Sequence, residues 1–172
     1  MPVMKRWGSI LLSICLCGLL LFSSGCASQP PSSYAKVQQE TTQRGAPKAI
    51  AKDATQGSQF NKYFPKSANG YERVYVQEKK GFAEAKLNKD GKNVAMLSIS
   101  DTKSLPSAAQ KYASSTTDIA GFPSLEIGAT QTGILVGDRY QVKVLSRDPS
   151  FTKAERQAWI QNFDLNGLSK LR

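Results

Sequence analysis

The densest grouping of reactive side chains is Ser98-Ile99-Ser100-Asp101-Thr102-Lys103-Ser104. A serine beside a lysine is the material of a Ser-Lys nucleophile pair, in which the amine takes the hydroxyl proton. The same residues at a strand end, just before Pro106, are also those that cap and turn a chain, and their context favours that reading. There is no histidine, so Ser-His and Cys-His pairs and the commonest zinc ligand are absent. The three cysteines, Cys15, Cys17 and Cys26, all lie near the start of the chain. Gly128, Gly133 and Gly137 are too scattered for a phosphate loop, and no acidic spacing suggests a calcium loop. The sequence therefore assigns no catalytic residue, no metal and no cofactor.

A basic and aromatic strand face is the better candidate for function. Arg139 and Lys143 alternate with apolar residues on one strand and are expected on its outward face with Gln141. Tyr71, Arg73 and Tyr75 share one face of another strand. If the two strands lie close together, they form a cationic surface with two tyrosines, suited to an acidic protein partner. If not, they are a solvated sheet face with edge-protecting charges. The net charge is +10; without Lys5 and Arg6 it is +8 from Cys26 onward. That balance draws the chain to anionic surfaces. Nucleic acid is discounted, because the leader described next directs export.

Residues 1–25 have the layout of a secretory signal. Lys5 and Arg6 precede an apolar run from Ile10 to Phe22, and Ser23, Ser24 and Gly25 follow. The run is shorter than the roughly 17–25 residues a membrane-spanning helix needs. Ser23-Ser24-Gly25-Cys26 resembles the lipobox of bacterial lipoproteins, with Ser23 where leucine is usual. The resemblance covers only the first 30 residues or so. It implies that the Cys26 thiol takes a diacylglyceryl group and that the leader is cut before Cys26, which leaves the mature chain no other cysteine. It also implies, in a Gram-negative cell, that Ala27 after the cysteine favours the outer membrane. Two buried acyl chains make such attachment stable where one is marginal. Gly25-Cys26-Ala27 is also a small-x-small site, and cleavage after Ala27 would release a soluble domain.

These residues need elements to carry them. Residues 26–57 hold few large apolar side chains (Tyr34, Val37 and Ile50), and such a segment is expected to be a disordered tether. From about residue 58 the texture is that of a folded domain, 58–172. Strand-like runs cover 71–77, 82–87, 93–100, 125–127, 132–136 and 139–145. Asp90-Gly91 and Gly137-Asp138 mark hairpins. An alanine-rich stretch, 105–116, opens with Pro106 and reads as a helix. Thr152 and Glu155 form a capping box for a second helix reaching about Phe163, with Trp159, Ile160 and Phe163 toward the sheet. The expected fold is α+β: an antiparallel sheet of about five to six strands covered on one face by two helices. The expected function is a membrane-anchored, non-enzymatic binding or accessory module for another envelope component. The alternative is a small-ligand-binding or sensing domain with a pocket between sheet and helices.

Overall fold

The computed structural model describes residues 50–172. The leader, Cys26 and the tether as far as residue 49 lie outside the described residues. Seven strands form one open antiparallel sheet: β1 (Tyr71–Lys79), β2 (Phe82–Lys89), β3 (Lys92–Asp101), β4 (Asp118–Ile119), β5 (Phe122–Ile127), β6 (Gln131–Val136) and β7 (Tyr140–Ser146). The spatial order is β1-β2-β3-β7-β6-β5-β4. Two meanders, β1–β3 and β4–β7, meet along β3 and β7. Asp90-Gly91 and Gly137-Asp138 both turn with positive φ at each residue, the backbone a two-residue hairpin needs to follow strand twist. A third such turn, Ala120-Gly121, creates the two-residue strand β4, which the sequence reading does not contain. Six expected strands thus become seven.

The main core lies on one face of the sheet. Ala83, Ala85 and Leu87 of β2, Leu97 and Ile99 of β3, Ile134 and Val136 of β6, and Val142 and Val144 of β7 are buried there. They pack under α2 (Lys153–Gln161), α3 (Leu165–Ser169) and the 3-10 turn Gly57–Tyr63. Thr152 caps α2 as expected: its Oγ1 accepts from the Glu155 amide at 3.4 Å, and its own amide donates to the Glu155 carboxylate at 2.6 Å. Trp159 and Ile160 sit on the sheet, and Phe163, just past the helix end, continues the cover.

The stretch after β3 lies on the opposite face, so the helices do not all cover one side. It is also more broken than the expected single helix: a 3-10 turn (Thr102–Ser104), a five-residue α1 (Pro106–Gln110) and another 3-10 turn (Lys111–Ser114). Tyr112 anchors it, its hydroxyl oxygen accepting from Gln141 Nε2 at 2.9 Å. A side chain at Gly133 would come within 2.5 Å of that hydroxyl, so only glycine leaves room for Tyr112 to reach the sheet.

Candidate functional site

The Ser98–Ser104 run is the seat on which the arriving chain rests. Asp101 is the last residue of β3, and its side chain is wholly buried. It accepts from the Arg139 guanidinium at 2.7 and 3.1 Å, from the Thr55 amide at 2.9 Å and from the Lys103 amide at 3.1 Å. Burial alone would raise its pKa; the guanidinium and the two amides outweigh burial and hold it below the usual carboxylate value. Arg139 also donates to Asp53 O at 3.2 Å and Thr55 Oγ1 at 3.1 Å. Thr55 Oγ1 lies 2.9 Å from the Tyr140 hydroxyl, and Ser104 Oγ accepts from the Ala51 amide at 2.9 Å. Lys103 pairs with Asp53. The cap-and-turn chemistry is therefore present, and residues far away in sequence use it.

That seat moves the start of the folded domain. Residues 51–57, read from composition as tether, are fixed by Asp101, Arg139 and Ser104 and by the backbone bond from Gly81 N to Thr55 O at 2.6 Å. Gly57 is packed so closely that a Cβ there would lie 2.5 Å from Lys79 O. Polar composition hides this segment because its attachment is made by backbone groups and by the polar side chains of Asp53 and Thr55.

The proposed basic and aromatic surface is not assembled. β1 is an edge strand and β7 lies three strands away, roughly 14 Å at the usual strand spacing. Tyr71, Arg73 and Tyr75 do share a face, but it is the core-facing one. Tyr71 packs edge-on to Trp159 at 5.1 Å and to Phe151 at 6.4 Å. The Tyr75 hydroxyl donates to Asn61 O at 2.8 Å, and its ring meets Phe64 at 5.5 Å. Arg73 stacks 4.6 Å from the Tyr75 ring and donates to Pro65 O at 2.7 Å. Arg139 lies in the β6–β7 turn, paired with Asp101.

Lys143 lies on the opposite face, half-buried, and Gln141 is buried beside it under Tyr112. Desolvation lowers the Lys143 pKa against the attraction of Glu84. Ser98 is its direct neighbour across β3 and β7, so a serine and a perturbed lysine do meet, although no hydrogen bond joins their side chains.

A second polar cluster escaped the sequence reading. Arg156 is 4% exposed and sits at the sheet-facing position one turn before Trp159 and Ile160. It donates to Thr132 Oγ1 at 2.9 Å, Ser146 Oγ at 3.0 Å and Glu126 Oε2 at 3.0 Å. The available signal was a charge in the i, i+3, i+4, i+7 pattern 156, 159, 160, 163. Beside it a cleft of about 370 Å³ is walled by Thr130, Arg147, Asp148, Phe151 and Lys153 among others. Among the described residues no group of three or more acidic side chains could hold a metal ion, and no helix is long and apolar enough to cross a membrane.

No protein-family model matches the chain, and neither a curated protein nor a solved structure does.

Proposed function

We propose that the chain is a lipid-anchored envelope lipoprotein whose α+β domain is a binding or accessory module, not an enzyme, for another envelope component. The lipobox-like run ending at Cys26 supports the anchor. The observation that carries the binding role is the free side of β1. Val74 and Val76 are 39% and 43% exposed and point away from the core. The pairing with β2 slips between Tyr75 and Gln77, and residues 76–79 are all exposed. The first half of this edge strand is engaged, its Tyr71 and Arg73 amides donating to Ala68 O and Ser67 Oγ at 2.9 Å each, so the template for adding a strand is its second half, residues 74–79. Lys79 and Lys80 at its end suit an extended segment with apolar and acidic side chains. The bulge and the lysines also restrict self-association.

A photo-crosslinking residue at Val76, in the full chain in its own membranes, tests this. The expected product is one defined protein adduct, reduced several-fold by Val74→Lys and absent when the crosslinker replaces Gln161, an exposed residue of α2. The same adducts from both positions, or none from Val76, would count against the reading.

The cleft beside Arg156 favours a second reading, in which the domain holds a small anionic ligand between Arg147 and Lys153. A ligand screen in which binding is lost on Arg147→Ala would support it.

A further inference from the structure

We propose that the end of the sheet where the chain arrives from residue 49 is a lipid-contacting surface: Leu105 and Ile50 make the apolar contact, and lysines around them draw it to anionic phospholipid. This rests on the reading of Cys26 as a lipid anchor. Leu105 is 61% exposed, the most exposed of the large apolar residues described. It is held outward on both sides. Its amide donates to Thr102 O at 2.9 Å, its carbonyl accepts from the Ala108 amide at 2.9 Å, and Pro106 follows. The bond from Ala51 N to Ser104 Oγ joins the chain neighbours of Leu105 and of Ile50, which is 40% exposed. An open hollow of about 480 Å³ begins at Pro106, the residue after Leu105, with Ala109, Asp138 and Arg139 also in its wall.

One exposed leucine is ordinary on a soluble surface. What distinguishes this one is the company it keeps. Lys80 donates to Lys52 O across the same end, and neither lysine has an acidic partner among the described residues. Lys170 and Arg172 are exposed at the same end, which the Tyr140 hydroxyl bond to Leu171 O (3.3 Å) fixes in place. Asp53 and Asp138 are exposed at this end too, but Asp53 is paired with Lys103, so cations remain in excess around the apolar residues, the pattern of an interfacial membrane site. Its position fits, because this is where the described domain receives the chain leading back to Cys26. The 25 residues from Cys26 to Ile50 reach roughly 80 Å at full extension, so an anchored domain never leaves the neighbourhood of the bilayer. Confinement of that kind gives weak contacts a high effective concentration.

The test uses the mature, acylated full chain with a polarity-sensitive fluorophore on Leu105→Cys or, as control, on Asp90→Cys at the opposite end of the sheet. Vesicles are phosphatidylcholine alone or mixed with phosphatidylglycerol. On the anionic vesicles the label at 105 should shift to the blue and be quenched several-fold more by lipid-borne quenchers than the label at 90. Salt, or Lys52→Glu with Lys80→Glu, should reverse this. A label at 105 that stays water-like on anionic vesicles overturns the proposal. Flotation with pure phosphatidylcholine vesicles reports the anchor separately. If the chain fails to float, the anchor reading is wrong, and the response at 105 to excess phosphatidylglycerol vesicles still decides the surface.

Discussion

Asp101 is the residue on which the start of the domain depends. Four donor groups converge on it, two of them from Arg139, which also holds Asp53 and Thr55. Removing one partner of a buried ion pair leaves the other charge uncompensated, at a cost of about 3–5 kcal/mol. Arg139→Met should therefore lower the unfolding free energy near neutral pH by about that much. It should also expose the segment 51–55 to proteolysis. The pH dependence has a definite sign. The folded Asp101 pKa is depressed, so its contribution is present above the unfolded value of about 3.9 and is lost as pH falls through the lower folded value. In Arg139→Met the carboxyl keeps its burial and loses its chief partner, so its protonation relieves the buried charge and the stability gap to wild type should shift toward zero as pH falls. Denaturant titrations across the acidic range would show the shift. Parallel curves for wild type and variant would mean that the pair does not set this stability.

At the scale of elements, α1 and the 3-10 turn that follows it, Lys111–Ser114, are the weakly held part. They meet the sheet through Tyr112, which is buried outside the main core cluster. Gly133→Ala places a methyl 2.5 Å from the Tyr112 hydroxyl. The expected loss is about 1–3 kcal/mol, typical of overpacking, with hydrogen-exchange protection falling first in residues 106–114. Uniform loss across the sheet would refute that localisation. The hairpins at Asp90-Gly91 and Gly137-Asp138 and the cap at Thr152 were legible because their signals are local: a dipeptide that tolerates positive φ, or a side chain three residues from its partner. β4 was not legible, since two residues carry no period. Nor was the orientation of β1. Alternation shows that Tyr71, Arg73 and Tyr75 share a face but not which face is buried, and Val74 and Val76 were the apolar set that stayed outside. In the Ser98–Ser104 run the cap and turn are made by Asp101 to Ser104, whereas Ser98 and Ser100 belong to β3. Its partners at 51–55 and 139 are distant in sequence, and no local pattern announces them.

At the scale of the whole molecule, the sheet has two ends that carry different groups. The Asp101–Arg139 seat, Leu105 and the C-terminus gather at one; Asp90-Gly91 and the cleft near Arg147 and Lys153 lie toward the other. A domain held at one end leaves the side of β1 and the far end free for partners. That arrangement has value only if something holds the chain at a surface, so everything rests on Cys26. Mass spectrometry of the N-terminal peptide of the mature protein, taken from its own membranes, tests this most directly. A peptide beginning at Cys26 and carrying the mass of a diacylglyceryl group is the predicted result. An unacylated peptide beginning at Ser28 would contradict it.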